Sequence, residues 1–332
     1  MTRLHFRPDG FLMLLIVVLA VATVLPARGA AAAALGPATD IAIALLFFLH
    51  GAKLSRAAIL GGVGAWRLHL MVLAATFALF PLLGLAAVTL AGGAINPVVG
   101  TGILYLCVLP STVQSSIAFT AMANGNVAAA VCSASLSNIV GIALTPLLAS
   151  VLIGSGGRAG ADFFLEALGS IAFQLLLPFV AGHLARPLVG AWIDRHKPLV
   201  TKVDRGVILL VVYAAFSAAV VEGLWSRLSP ADLAAIALVS AALLAAVLGL
   251  TWAAGRFAGL ARADAVVLLF CGSKKSLASG VPMAGALFPA AQVGPIILPL
   301  MLFHQLQLIV CTAIARAMAV RDATPKEPAH AV

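Results

Sequence analysis

Apolar runs of about twenty residues fill most of the chain and are separated by short segments containing Pro, Gly or charged residues. A helix needs about 20 apolar residues to cross ~30 Å of hydrocarbon, whereas a barrel would show alternating segments of about 10 residues. The pattern therefore predicts an all-α polytopic membrane protein. We expect ten transmembrane helices, at residues 11–26, 39–54, 68–91, 98–122, 127–153, 163–185, 204–221, 231–256, 265–287 and 294–316.

The first run follows Arg3 and Arg7, so a cleaved signal peptide is the alternative interpretation of that run. Nine further spans follow it with no soluble domain to export, and this favours a retained helix. Of the 332 residues, 63% are hydrophobic and 9% are charged, and the mean hydropathy is +1.13. Soluble domains carry roughly 45–50% apolar and about 25% charged residues, so no large soluble domain is expected.

The basic residues give the orientation. A net charge of +9 would suggest nucleic acid as the partner of a soluble protein, but an excess of Lys and Arg in cytoplasmic loops accounts for it here. If both termini are cytoplasmic, fifteen basic residues lie on the cytoplasmic side of the membrane and three on the other side. The remaining two, Lys274 and Lys275, lie within a span. We therefore expect an integral protein of the plasma (inner) membrane, in contact with lipid and not with nucleic acid, with both termini in the cytoplasm.

An internal duplication relates the two halves of the chain. A shift of about 160 residues lays 11–26 on 163–185, 68–91 on 231–256 and 98–122 on 265–287. Five spans in each half, over 11–160 and 161–318, give the halves opposite orientations. This is the inverted-repeat plan of secondary transporters, in which sites near the midplane are built from interrupted helices.

The fourth span of each half carries a polar interruption. Pro110 begins Pro-Ser-Thr-Val-Gln-Ser-Ser in the first half, and Gly272 begins Gly-Ser-Lys-Lys-Ser in the second. Half-helices that end there would leave N–H groups that bind anions and C=O groups that bind cations. The alternative is a simple kink in which Ser hydroxyls bond back to the backbone.

Lys274 and Lys275 give the sharpest indication of function. A Lys at the centre of a membrane helix costs about +2.5 to +3.5 kcal/mol, so two adjacent lysines need partners or water. Adjacent helix positions project about 100° apart. We expect one lysine to face a substrate cavity and the other to replace a cation or to pair with carbonyls. The alternative is a shifted span from which both snorkel to the interface.

Other intramembrane polar residues extend the candidate site. Ser133, Ser137 and Asn138 form a polar stripe on the fifth span, and His304 and Gln305 lie in the last. The alternative role for the stripe is hydrogen bonding between helices. The alternative for His304 is a buried histidine whose hydrogen bonds are satisfied within the protein. The complete candidate set for substrate or ion binding is Gln114, Ser115, Ser116, Ser133, Ser137, Asn138, Ser273, Lys274, Lys275, Ser276, His304 and Gln305.

Several classes of function are disfavoured. The four cysteines lie inside apolar runs and are widely spaced, which argues against a metal cluster or a disulfide framework. No span carries a nucleophile with its base or metal-ligand spacing, so we expect neither an enzyme nor a cofactor. No phosphate-binding GxxxxGK[ST] motif occurs, so active transport would use an ion gradient.

The chain resembles the bile acid:sodium symporter superfamily, and within it the branch of sodium/bile acid cotransporter 7 and its bacterial relatives. The resemblance covers about residues 11–320. It rests on residues 48–55, 109–116, 124–127 and 132–138 and on the specific stretch 270–283. It implies a ten-helix fold in which spans 1, 2, 6 and 7 form a panel. Spans 3–5 and 8–10 would form a core, with spans 4 and 9 broken and crossing.

The resemblance also implies sodium ligands, at Ser115, Ser116 and Ser133 here. This chain departs from the sodium-coupled relatives in span 9. Phe270 stands near the position of their carboxylate, and Lys274 stands at the position of their Gln. A sodium ion would be repelled by the lysines, so sodium coupling is doubtful and a proton is the other candidate coupling ion. We expect a secondary transporter of a small, anionic organic solute that works by alternating access. A cation/proton exchanger with a titrating lysine and a non-transporting regulator of ion homeostasis are the alternatives; the oligomeric state stays open.

Overall fold

The computed structural model describes residues 10–53, 63–92, 95–153 and 175–323, and this part of the chain is almost entirely helical, with no strand. Single helical turns lie at Val63–Ala65 and Leu224–Arg227. The longer helices are α1 (Gly10–Val24), α2 (Ala30–Lys53), α3 (Trp66–Ala91), α4 (Pro97–Val108), α5 (Gln114–Met122), α6 (Val127–Ile153), α7 (Leu177–Arg195), α8 (Lys197–Val221), α9 (Pro230–Phe257), α10 (Arg262–Gly272), α11 (Leu277–Leu287) and α12 (Ala290–Ala323).

Six of these helices, α2, α3, α6, α8, α9 and α12, are long and apolar enough to cross a membrane. Shorter apolar segments occur in α1 and α4. Many large apolar side chains face outwards, and Leu90 and Leu188 are 88% and 86% exposed. An apolar outer surface is stable against lipid and not against water. The chain is therefore an integral membrane protein.

Several helices extend beyond the apolar runs that predicted them. Helix α2 begins at Ala30 instead of residue 39, α8 begins at Lys197 instead of residue 204, and α12 continues to Ala323. Hydropathy marks the part of a helix that crosses hydrocarbon, whereas the helix itself can continue into water. Residues 163–174 of the predicted sixth span lie outside the described residues, and 177–185 form the first half of α7.

Helices α1, α2, α7 and α8 pack on one another, with α2 against α7 and α1 against α8. Helices α3–α6 and α9–α12 pack together as a second group, and α8 joins the two groups by packing against α11 and α12. Helices α2 and α7 approach each other closely at two glycines. Gly51 lies against the carbonyl oxygen of Phe179, and Gly182 against that of Phe48, so neither position has room for a Cβ atom.

Two predicted spans are each divided into two helices. Residues 98–122 fold as α4 and α5, with residues 109–113 outside either helix, and residues 265–287 fold as α10 and α11, with residues 273–276 between them. Pro110 has no N–H and forces the preceding residue away from helical angles, and Leu109 is accordingly extended. In the second break, Ser276 is extended and its side chain caps α11 by accepting from Ser279 N.

Candidate binding site at the crossing of two broken helices

The two breaks lie against each other. The backbone N–H of Ser276 in the second break donates to the carbonyl oxygen of Pro110 in the first, at 2.9 Å. Tyr105 of α4 donates its hydroxyl to the carbonyl oxygen of Gly280 in α11, at 2.7 Å. These bonds join residues about 170 positions apart in the chain, so each half of the sequence supplies one of the two interrupted helices that meet here.

Each break satisfies the carbonyl groups that the other leaves open. The last carbonyls of a helix have no partner within it. At the end of α10, Ser111 Oγ donates to the carbonyl oxygen of Cys271 (2.5 Å) and Ser116 Oγ to that of Phe270 (3.1 Å). The end of α4 receives the ammonium group of Lys275 in the same way. The crossing is thus built from reciprocal contacts between the half-helices.

Helix α6 braces the first break through its polar stripe. Ser111 N donates to Ser137 Oγ (3.0 Å), and Asn138 Nδ2 donates to Ser111 O (2.9 Å). Asn138 Oδ1 also accepts from Ser279 Oγ of α11 (2.8 Å). Asn138 therefore connects α6 to both interrupted helices.

Lys275 is fully buried, and its ammonium group contacts three backbone carbonyls. Nζ lies 2.8 Å from the oxygen of Thr76, 2.7 Å from that of Cys107 and 2.7 Å from that of Leu109. The Phe80 ring centroid is 4.2 Å from Nζ. An ammonium group has three donors, so all of them are satisfied here by oxygens of α3 and of the end of α4.

Lys274 is also fully buried but has different surroundings. Its Nζ donates to Ser115 Oγ at 3.1 Å and lies 4.0 Å from the ring centroid of Phe119. The described ion pairs are those of Lys53 with Asp204 and of Asp194 with Arg186 and Lys197. Within the described part of the chain, neither intramembrane lysine therefore forms an ion pair.

A cavity of about 460 Å³ opens beside the crossing, between the two helix groups. Residues 112–115 and 276–279 line it, so the N-terminal ends of both α5 and α11 face the same space. The N-terminal end of a helix carries a partial positive charge and free N–H donors. Apolar side chains of the other helix group, among them Phe47 and Phe179, line the same cavity. The cavity can therefore hold a solute with one anionic group and an apolar body.

The lining of the cavity also includes a charged cluster from α2 and α8. Lys53 pairs with Asp204, and His50 and Arg205 line the same wall. Asp204 Oδ1 is buried and has no hydrogen-bond partner among the described residues, although the other carboxylate oxygen binds Lys53. Three basic residues and one acidic residue of the first helix group thus line the cavity.

The candidate residues fall into three groups in the structure. Gln114, Ser115, Asn138, Ser276 and His304 line the cavity. A second group lies at the crossing behind the cavity wall; its members are Ser116, Ser137, Ser273, Lys274 and Lys275. The remaining two lie apart from both.

Ser133 and Gln305 form this third group. Ser133 Oγ lies 2.7 Å from His69 Nδ1 of α3, and the half-buried Gln305 does not line the cavity. Neither intramembrane lysine lines the cavity directly. Lys274 is connected to the cavity through its hydrogen bond to Ser115, which lines it.

Sequence reasoning did not select several residues that the structure places at the site. Gln307 is fully buried; its Oε1 accepts from Lys275 N (2.8 Å) and its Nε2 donates to Lys275 O (2.9 Å). It follows His304 by three positions on one helix face, which is a usable signal. His50 and Lys53 stand in the Phe-Leu-His-Gly-Ala-Lys stretch on which the family resemblance rests, but nothing in their spacing pairs them with Asp204.

The two tyrosines of the chain provide a test of the crossing. We expect Tyr105→Phe to lower the free energy of unfolding by about 1–3 kcal/mol, because the buried carbonyl of Gly280 would lose the hydrogen bond from the Tyr105 hydroxyl. Tyr213→Phe is the matched control, since the Tyr213 hydroxyl bonds to the carbonyl of Leu25 in an exposed contact. Thermal melting of the two purified variants measures the difference. Equal melting temperatures would contradict a structural role for the Tyr105 hydroxyl.

Comparisons with known proteins place these features in a family. The model of the SBF-like CPA transporter family matches residues 9–320. The chain is 52% identical to an uncharacterized protein of Pseudomonas aeruginosa, over 97% of this chain and 96% of that protein. It is 51% identical to "Putative symporter YfeH" of Escherichia coli (strain K12), over 93% and 92%. It is 26% identical to sodium/bile acid cotransporter 7 of Rattus norvegicus, over 92% and 90%.

Proposed function

The chain belongs to the SBF-like CPA transporter family and is a membrane transporter of the bile acid:sodium symporter type, and we propose that it carries a small organic anion. The cavity beside the crossing is the observation that carries this proposal. Two helix N-termini face this cavity, and the Lys274 ammonium donates a hydrogen bond to Ser115, which lines it. A carboxylate, sulfonate or similar group at these N-termini would accept hydrogen bonds from free N–H donors in a site of low dielectric constant.

We propose a ten-span architecture for this transporter. The first repeat would comprise residues 11–160 and the second residues 161–318, with opposite orientations in the membrane. Division of the matching segments 98–122 and 265–287 into half-helices supports the repeat. The packing of α1, α2, α7 and α8 on one another supports a panel, and the packing of α3–α6 with α9–α12 supports a core.

Alternating access would follow from movement of this core against the panel. The cavity extends from the crossing towards Lys53, Thr201 and Arg205. The distribution of Lys and Arg assigns these residues to the cytoplasmic side, so the structure corresponds to an inward-facing state under this proposal. An apolar seam between α8 and α11 would then close and open as the solute crosses.

The surroundings of the predicted sodium ligands Ser115, Ser116 and Ser133 argue against sodium as the coupling ion. Ser115 accepts a hydrogen bond from Lys274, and Ser133 contacts His69 instead of either break. A sodium ion beside Ser115 would lie within a few ångströms of an ammonium group, and two unit charges about 4 Å apart repel by about 4 kcal/mol at an effective dielectric constant of 20. We propose that uptake proceeds without sodium and that a proton or the solute gradient drives it.

One observation favours a second candidate function, exchange of cations for protons. Among the described residues, the Lys274 ammonium has one hydrogen-bond acceptor, Ser115 Oγ, and it lies one side chain from the cavity. A lysine in this position could bind and release a proton as the two groups of helices move. Such an exchanger would change the pH inside a vesicle in the absence of any organic solute.

Transport assays in proteoliposomes test the proposal. Purified protein would be assayed for uptake of labelled taurocholate and of smaller aromatic and aliphatic carboxylates, with sodium and pH varied independently. We expect saturable uptake of at least one anion that persists when choline replaces sodium. Vesicles without protein give the background, and an entrapped pH dye detects exchange. Uptake that strictly requires sodium, or proton movement without anion uptake, would overturn the proposal.

A further inference from the structure

The ammonium group of Lys275 occupies a cage of oxygens that is suited to a free cation. Three backbone carbonyl oxygens, those of Thr76, Cys107 and Leu109, lie 2.7–2.8 Å from Nζ. The Phe80 and Phe77 ring centroids lie 4.2 and 5.9 Å away. Carbonyl oxygens arranged around one point can replace the hydration shell of a monovalent cation, as they do in potassium-selective pores. Aromatic faces add to the attraction.

The backbone geometry explains why three carbonyls converge there. Cys107 and Leu109 stand at the end of α4, where the following Pro110 ends the helix and leaves the last carbonyls without helical partners. Thr76 lies in the π-helical turn Ala75–Leu79 of α3, in which the regular spacing of helical hydrogen bonds is altered. The negative end of one helix and a displaced carbonyl of another therefore meet around the ammonium group.

The residue that supplies the ammonium group is held at its backbone. Gln307 of α12 accepts a hydrogen bond from Lys275 N and donates one to Lys275 O, at 2.8 and 2.9 Å. Lys275 and Gln307 are both fully buried. The side chain therefore delivers its charge from a fixed point, and the charge cannot exchange with ions in solution.

We propose that this carbonyl cage is a monovalent-cation site that the chain fills with its own lysine. None of its three oxygens belongs to a residue that sequence reasoning assigned to ion binding. The positive charge is needed to hold the end of α4, α3 and the second break together, because three buried carbonyls without a donor are unfavourable. When the ammonium group is removed, the cage is expected to accept a free cation such as Na⁺, K⁺ or a primary alkylammonium ion.

Chemical rescue of a Lys275→Ala variant tests this proposal. Propylammonium carries the atoms that the substitution removes, so it should fit the vacated space best. We expect the variant to melt well below the parent protein in N-methylglucamine chloride. Propylammonium, Na⁺ or K⁺ at equal ionic strength should then raise its melting temperature by about 5–10 °C, as expected for a ligand well above its Kd. The parent protein should show no such selectivity.

Lys274→Ala is the matched control, because it also removes one lysine ammonium group, at the neighbouring position. The Lys274 ammonium bonds to the Ser115 hydroxyl and not to the carbonyls of the cage. This variant should show no cation-specific shift. To keep unstable variants measurable, each salt is present from cell lysis onwards, and folded protein is quantified by size-exclusion chromatography of the detergent extract.

Three results would overturn the proposal. The first is a Lys275→Ala variant that is recovered equally in all salts or in none. The second is an equal cation response in Lys274→Ala. The third is a Lys275→Met variant, neutral and of similar length, that melts at the temperature of the parent protein, since the cage would then need no cation. All of these measurements concern stability, so they are independent of whether anion uptake is found.

Discussion

Replacing Lys274 by Met is expected to lower kcat/KM for anion uptake by about 30- to 100-fold while the protein stays folded. The Lys274 ammonium bonds to Ser115, which lines the cavity, so it lies one side chain behind a bound anion. At an effective dielectric constant of about 20, a unit charge about 6–8 Å away contributes about 2–3 kcal/mol. The Met side chain has a similar length and packs well against an aromatic ring such as that of Phe119.

Two further variants separate the charge of Lys274 from other effects. Lys274→Arg keeps a positive charge in the same place and should retain more uptake than Lys274→Met. Lys197→Met removes one positive charge from a side chain that is 73% exposed and pairs with Asp194, so it should transport like the parent protein. Initial uptake rates and melting temperatures would be measured together. A Lys274→Met variant that transports within about threefold of the parent would show that this charge does not attract the solute.

Gly182→Ala is expected to destabilise the protein by about 3 kcal/mol, or about 6–12 °C in melting temperature. A Cβ atom at Gly182 would meet the carbonyl oxygen of Phe48 in α2, which is backbone and cannot rotate away. The reciprocal contact of Gly51 with Phe179 is equally close, so the same interface has no free space there to accommodate a shift of the helices. Helices α2 and α7 would have to separate, and His50 and Lys53 on α2 would move with them.

Gly249→Ala is the control for this substitution. Gly249 also lies inside a membrane helix, α9, but no atom of the described residues outside that helix lies within 4 Å of the position that its Cβ would take. Alanine favours the helix by about 0.8–1.0 kcal/mol over glycine, so this variant should be at least as stable as the parent protein. Thermal melting in detergent compares the two variants. Equal melting temperatures would mean that the contact between α2 and α7 is looser than the structure indicates.

The family was recognisable from the sequence because its features are rare in apolar spans. Polar interruptions at Pro110 and Gly272, and the adjacent lysines that follow Gly272, are unfavourable in lipid unless the protein compensates for them. The match of the family model to residues 9–320 confirms the resemblance. Helix ends were predicted less well, as at Ala30 and Lys197, because hydropathy reports contact with lipid and helices also continue in water.

The different roles of the two lysines could not be read from the sequence. Their neighbours in the chain are nearly the same. The sequence predicted two different environments but did not indicate which lysine lies in which environment. Lys275 meets carbonyls of Cys107 and Leu109, and Lys274 meets Ser115, all about 160 residues away. The contact of Ser133 with His69 was equally hidden, since a hydroxyl on a polar stripe can bond to any helix that packs there.

The sequence by itself determined that the chain is embedded in a membrane, that two matching spans are interrupted, and that positive charge is buried at one interruption. These properties follow from transfer free energies and backbone restrictions, which act residue by residue. Only the tertiary structure decided which carbonyls surround the Lys275 ammonium, that both half-helix N-termini face one cavity, and that Asp204 lines the same cavity. Hydrogen bonds and cavities depend on the relative positions of helices far apart in the chain, and local sequence does not fix those positions.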